Sequence, residues 1–129
     1  MNYSKQREAI LDFLNSRKDH PTADVIYQNV RQVIPNISLG TVYRNLHLLA
    51  DNGMIRRVRG LNDIEHFDAD ISDHQHFICR NCGSVEDIVV RDHALLGKLN
   101  SYVQQDFSGQ VEANDIYFFG LCSSCCKKK

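Results

Sequence analysis

Two Cys-x-x-Cys hooks, Cys79/Cys82 and Cys122/Cys125, constrain this chain more than any other feature. A two-residue gap lets a tight turn aim both sulfurs at one ion, and tetrahedral zinc takes four thiolates at about 2.3 Å. The stretch between the hooks is longer than in a compact zinc ribbon, so one ion would clamp a mid-chain strand to the end of the chain. Four thiolates leave no open position, which makes the expected role structural. The plainer reading is four unpaired cysteines. Disulfides would suit an exported chain, but Met1–Arg7 leads into an amphipathic pattern and not into an apolar signal region. The hooks therefore read as metal ligands and the chain as cytoplasmic. Cys126 is left over, as a spare thiol or a competitor of Cys125.

His74 and His76 run straight into the first hook. On a strand they point to the same side and can share an ion. Asp68, Asp70, Asp73, Glu86 and Asp87 are close in sequence. Imidazole with carboxylate suits Fe(II), Mn(II) or Zn(II) in a labile site of the kind used for sensing or catalysis. Periodicity does not choose among the five carboxylates, and a solvated polar strand is the plain alternative. His20, before Pro21, reads locally as a cap or surface residue. His47 and His93 read the same way, and His66 is ambiguous.

The 129 residues make one compact unit or two small domains, and no apolar run is long enough to span a bilayer. Ile10, Leu11, Phe13 and Leu14 within Tyr3–Ser16 give a helical stripe. Thr22 can cap a second helix with Val25, Ile26, Val30 and Val33 on one side, broken at Pro35-Asn36. Ser38 can cap a third over Leu39–Asn52, with Leu39, Val42, Leu46 and Leu49 on one face and Gly53 just past its end. Met54–Arg59 and Ile64–Asp68 then flank Gly60–Asp63 as strand, turn and strand. Three short helices and a β-hairpin outline a winged helix. Beyond the acidic stretch His66–Asp73 the pattern changes. Gln75–Cys79 and Val85–Val90 read as strands, Asp92 caps a helix bearing Leu95, Leu96, Leu99, Tyr102 and Val103, and Val111–Leu121 is strongly β-prone. The fold expected is α+β: an N-terminal winged-helix DNA-binding domain, 1–67, followed by a small α+β domain, 68–129, with one helix against an antiparallel sheet.

Charge divides along the same line. From Arg31 to Gly60 five arginines face Asp51 alone, whereas from Phe67 onward nine acidic residues face six basic ones. A basic segment ahead of an acidic, ligand-rich one points to two jobs on one chain. Tyr43 and Arg44, near the start of the third helix, suit a recognition helix, with Arg able to pair with guanine or phosphate. Arg56, Arg57 and Arg59 suit a wing resting on phosphates. An ordinary amphipathic helix with a solvated arginine is the alternative.

Across nearly its whole length the chain resembles the ferric uptake regulator family of metal-dependent repressors. The resemblance rests on His20-Pro21-Thr22-Ala23-Asp24, on Ser38-Leu39-Gly40-Thr41-Val42-Tyr43-Arg44-Asn45-Leu46, on His74 through Gly83, and on Cys122-Ser123-Ser124-Cys125. It implies a winged helix joined to an α+β dimerisation domain, a homodimer, and a double-stranded inverted-repeat operator as partner. Ser38, Thr41, Tyr43, Arg44, Arg56, Arg57 and Arg59 would face that DNA. The resemblance also implies structural Zn2+ on Cys79, Cys82, Cys122 and Cys125, and regulatory Fe2+ or Mn2+ on His20, Asp68, His74, His76 and Asp87. The two aspartates of that set look most like the peroxide-responsive branch, PerR, since iron-uptake regulators usually carry glutamate there. In that branch iron-dependent oxidation by peroxide strikes a ligand histidine, here His20 or His74, and releases metal and then operator. This is sacrificial modification, so no enzyme is expected.

Arg44 departs from the pattern, because some PerR proteins carry asparagine there and iron-uptake regulators carry arginine. The chain begins at what looks like the family's second helix. Gln75 and Asn114 stand where ligands of a further interdomain site would be expected, which fits PerR better. The competing readings are an iron- or zinc-uptake regulator sensing metal abundance and, more remotely, a small non-haem iron enzyme using His74, His76 and a carboxylate.

Overall fold

A computed structural model describes residues 4–72 and 74–127. Asp73, one of the five candidate carboxylates, and Tyr3, the expected start of the first helix, lie outside the described residues. Helix α1 spans Lys5–Asn15, with Ser4 as its N-cap. Helix α2, Ala23–Val30, is capped by the Thr22 hydroxyl, which accepts from the Val25 N–H. Helix α3, Leu39–Asp51, is capped by Ser38, which accepts from the Thr41 N–H. Gly53 follows α3 with φ 73°, the left-handed conformation that ends helices and that a side chain disfavours. The three helices bury Ile10, Leu14, Ile26, Val30, Val42, Leu46 and Leu49 in one core.

Two residues expected in that core are exposed instead. Val33 is 74% exposed because α2 already ends at Val30, so helical spacing no longer governs its direction. Leu39 opens α3 and its side chain stays 36% exposed. Asn45 on α3 is buried although polar. Its amide donates to the Thr41 carbonyl at 2.9 Å and its oxygen accepts from Arg7 at 3.3 Å, which satisfies the buried amide.

Strands β1 (Arg56–Arg59) and β2 (Glu65–Asp68) pair antiparallel across a single 3-10 turn at Leu61–Asp63. Phe67 of β2 is fully buried in the helical core. Alternation along β1 places Arg56 and buried Val58 on one side and exposed Arg57 and Arg59 on the other. The second sheet holds β3 (Gln75–Cys79), β4 (Val85–Ile88) and β5 (Tyr117–Gly120) in the order β4-β3-β5. Val58 joins Ile78 and Val85 in a second small core, so the wing packs directly on this sheet.

The expected antiparallel sheet is in fact mixed: β3 pairs antiparallel with β4 but parallel with β5. The reason lies in the hooks. The parallel register sets Gly120 opposite Cys79, which delivers Cys122 beside the first hook. An antiparallel β5 would leave the chain end at the other end of β3. The strands are also shorter than the β-prone runs: β4 stops at Ile88, and of Val111–Leu121 only Tyr117–Gly120 is strand. Helix α4 (His93–Gln105) is capped by Asp92 as expected, but it buries none of its residues. Leu95, Leu99, Tyr102 and Val103 each remain more than 40% exposed. A short helix α5, Ser123–Cys126, holds the second hook. No helix among the described residues is long and apolar enough to cross a membrane.

Candidate metal centres

The four hook cysteines converge. One sulfur from each of Cys79, Cys82, Cys122 and Cys125 lies within 4.8 Å of every other. The Cys82 and Cys122 sulfurs are 3.8 Å apart, and two thiolates of a tetrahedral zinc site with ~2.3 Å bonds stand about 3.8 Å apart. Cys79 is buried and held by the ends of β3 and β5, whereas the turn that carries Cys82 is closed by the Gly83 N–H donating to the Cys79 carbonyl. The backbone N–H groups of Cys82 and Cys122 hold the Cys79 thiol down to about 6. Ser84 lowers Cys82 as well. Cys125, although favoured by the Asn81 amide, is pushed up to about 11 by the neighbouring sulfurs, since a second thiolate beside the first is opposed by like charge. A dication reverses that opposition, so the four sulfurs together fit zinc. Cys126 is exposed and not in the cluster.

The second cluster draws on four separate segments. His20 stands before α2, Asp68 ends β2, His74 precedes β3, His76 lies on β3, and Asp87 lies on β4 opposite His76. Their donor atoms also lie within 4.8 Å of one another. The His20 Nε2 is 2.8 Å from Asp87 Oδ1 and 3.1 Å from Asp68 Oδ2. The His74 Nε2 lies 3.0 Å from Asp68 Oδ2 and 3.1 Å from Asp87 Oδ1, and the His76 Nε2 lies 3.5 Å and 3.7 Å from the same two atoms. Donors that share an ion at ~2.1 Å stand about 3.0–3.4 Å apart, so the set is close to a coordination shell.

Two of the rings are aimed from behind. His20 Nδ1 meets the Val85 carbonyl at 3.0 Å, and His74 Nδ1 meets the Ser72 carbonyl at 2.8 Å. A carbonyl only accepts, so each Nδ1 carries its hydrogen and each ring turns its Nε2 into the cluster. Burial opposes charge on both His20 and Asp68, yet their pairing prevails. His20 is raised above its ordinary value by Asp68 and Asp87. Asp68 is held well below the carboxylate range by hydrogen bonds from His20, His76 and the Asp70 N–H. His20 reaches this position through a left-handed backbone, φ 54°, unusual for a residue other than glycine. His66 Nδ1 donates to its carbonyl at 2.7 Å, and the next carbonyl, that of Pro21, accepts from the Phe67 N–H at 3.0 Å.

The other candidates have different partners. Asp70 spends its carboxylate on Ser72, accepting from its N–H at 2.9 Å and from its hydroxyl. Glu86 is exposed and, by strand alternation, on the face away from Asp87. His47 faces Glu65 at 3.3 Å. Gln75 accepts from the Val90 N–H at 3.0 Å, and Asn114 donates to Asn100 at 2.6 Å. Among the described residues no third cluster of His, Cys, Asp and Glu assembles. The contributions invisible in sequence were the backbone ones, the Val85 and Ser72 carbonyls, and the Asn81 amide, which reaches the Cys125 sulfur at 3.3 Å.

On α3, Ser38, Tyr43 and Arg44 are exposed and Thr41 half-buried, with Arg44 Nη2 donating to the Thr41 hydroxyl at 2.9 Å. Arg59 is 74% exposed near Asp63. Arg57 is paired with Asp51, and Arg56 turns inward to Asp115 at 3.1 Å.

A winged helix packed on a small α+β unit, with a four-thiolate cluster and a mixed His/Asp cluster between wing and sheet, is the architecture of a metal-responsive regulator. The chain belongs to the ferric uptake regulator family, whose profile matches residues 1–108. It is similar to the peroxide operon regulator of Bacillus subtilis, 33% identical over 124 residues that make up 96% of this chain and 83% of that protein. Among solved structures it is similar to the Campylobacter jejuni peroxide stress regulator, with TM-score 0.76 and 29% identity, covering 93% of this chain and 88% of that one. The Helicobacter pylori ferric uptake regulator, described as having three functional metal binding sites, shares the fold at TM-score 0.83 and 24% identity, covering 100% of this chain and 85% of that one.

Proposed function

We propose that the chain is a homodimeric, metal-dependent transcriptional repressor of the peroxide-responsive type. Its DNA-binding unit would be residues 1–67 and its dimerisation unit 68–129. The observation that carries the reading is the five-donor cluster: His20 comes from the winged helix, Asp68 from the boundary itself as the last residue of wing strand β2, and His74, His76 and Asp87 from the sheet unit. An ion held by all five favours one arrangement of the two units, and metal occupancy thereby sets affinity for an inverted-repeat operator. Cys79, Cys82, Cys122 and Cys125 would hold a permanent zinc. The exposed face of α3 with Ser38, Thr41, Tyr43 and Arg44 would enter a major groove, and Arg57 and Arg59 would lie towards phosphates.

The all-aspartate carboxylate pair and the 33% identity to the Bacillus subtilis peroxide operon regulator favour peroxide sensing. Fe(II), when bound, supplies the one-electron chemistry that activates hydrogen peroxide. The net change on the protein is transfer of one oxygen atom from peroxide to an imidazole carbon of His20 or His74, with water released. Both rings are fixed by their Nδ1 hydrogen bonds and cannot turn a different edge towards the cluster. The modified ring is a poorer donor, so metal and operator are released. No turnover follows, in keeping with a regulator and not an enzyme.

Intact-mass measurement after brief peroxide exposure tests this. A gain of one oxygen, mapped to His20 or His74 in the iron-loaded form and absent from the manganese-loaded form, is expected. Equal masses in both forms would leave the second reading, a regulator of iron or zinc uptake. Arg44 favours that alternative, standing where iron-uptake regulators carry the same residue.

A further inference from the structure

Arg56 lies on the same side of β1 as Val58, the side that faces the sheet. Its guanidinium reaches across to the other unit with both ends. Nη1 donates to the Ser72 carbonyl at 3.1 Å, and Nη2 donates to Asp115 Oδ1 at 3.1 Å, just ahead of β5. The Ser72 oxygen is the same atom that accepts from His74 Nδ1. One carbonyl thus serves two donors, one per lone pair. The loop that presents it is itself fastened. Ser72 donates to Asp70, and the Asp70 N–H donates at 2.9 Å to Oδ1 of Asp68, whose other oxygen faces the three histidines.

We propose that Arg56 is a positioning residue for the regulatory centre, bracing the wing strand against His74 through the Ser72 carbonyl and against the foot of β5 through Asp115. A carbonyl pinned on one lone pair by a guanidinium keeps the other aimed at Nδ1, which fixes the ring plane and the tautomer of His74. The same side chain keeps β1, and with it Asp68 on the paired strand β2, at a set distance from the sheet donors. Arg56 and Asp68 are direct partners in that register. This rests on the reading of the five-donor cluster as a metal site.

Two other roles make different predictions. A phosphate contact would leave metal affinity unchanged in the absence of DNA. An exposed ion pair with Asp115, whose side chain is 70% exposed, would contribute little to anything. Electrostatics alone points the opposite way to positioning: removing a positive charge near a dication site tightens metal binding, whereas losing the brace weakens it. The sign of the change therefore separates the two.

The test is Mn2+ titration of the zinc-loaded, full-length protein without DNA, comparing the unaltered chain with Arg56→Gln and Arg56→Lys. Direct outer-shell partners of metal ligands typically contribute about 10–100-fold in affinity. Arg56 acts one hydrogen bond further out, and a weakening of about threefold to tenfold is expected in both variants. Lysine keeps the charge but reaches only one of the two acceptors. Full zinc content and an unchanged thermal midpoint establish that each variant is folded, and lysine serves if glutamine disrupts the fold. In the metal-free protein, exchange of the His74 Nδ1 proton, followed by NMR, should quicken in the same variants. Mn2+ affinity within twofold of the unaltered chain, or tighter, overturns the inference. An unaltered chain that binds no Mn2+ through these five residues overturns the cluster reading instead.

Discussion

Asp68 divides its carboxylate between structure and chemistry: Oδ1 accepts from the Asp70 N–H at 2.9 Å, and Oδ2 faces the rings of His20, His74 and His76. Without metal this oxygen and a proton on His20 stabilise each other. The raised value of His20 means that its contribution to stability is complete below its ordinary 6.5 and is lost as pH rises through the raised value. The lowered value of Asp68 means that its contribution is present above the ordinary carboxylate range and is lost only in strong acid. A metal must displace the His20 proton, so Mn2+ affinity of the zinc-loaded protein should climb as pH passes upward through and beyond 6.5, then level off. Calorimetry in two buffers of different ionisation enthalpy should show proton release at the lower pH that falls away at the higher. Constant affinity across that range would contradict the pairing described for His20.

At the level of elements, what was local was readable. Ser38, Thr22 and Asp92 each accept from the N–H three residues on, as their position before an apolar periodic run implied. Replacing Ser38 with alanine should lower stability by about 1 kcal/mol, measured by urea unfolding, since the N-cap of an exposed helix start is worth roughly that much. The Cys-x-x-Cys hooks were readable for the same reason, each being a single turn. His20 was not, because its partners Val85 and Asp87 lie 65 and 67 residues away and its own neighbourhood contains nothing of them. Nor was the choice among five carboxylates, since register settles it: only after His76 is set opposite Asp87 does alternation turn Glu86 away. Strand direction escaped too. Ile116–Phe119 marks β-propensity, but propensity is blind to whether β5 runs with or against β3. Arg56 is an intermediate case, for its alternation with Val58 already placed it on the inner side of the wing, against the expectation of a phosphate contact.

The molecule as a whole presents one face that a single chain leaves uncovered. Leu95, Leu99 and Tyr102 of α4 line one apolar hollow with Phe118 of β5, and all four are more than a third exposed. Monomeric proteins seldom leave so many large apolar groups together in water. A second copy related by a two-fold axis covers such a face with itself and sets two recognition helices at a fixed separation. Leu99→Glu, which places a charge within that face and touches neither cluster, should shift the protein from dimer to monomer in sedimentation at micromolar concentration while it keeps its zinc. A variant that stays fully dimeric would move the interface elsewhere. The division of the five donors between the two units carries a consequence that runs from DNA back to the ion. Whatever factor metal contributes to operator affinity, the operator returns to metal affinity. On the proposed metal-dependent repression, repressor seated on a promoter would be a tighter chelator than the same protein free in solution. As the cell's metal supply fell, idle copies would then empty first and the promoters in use would be the last to be vacated.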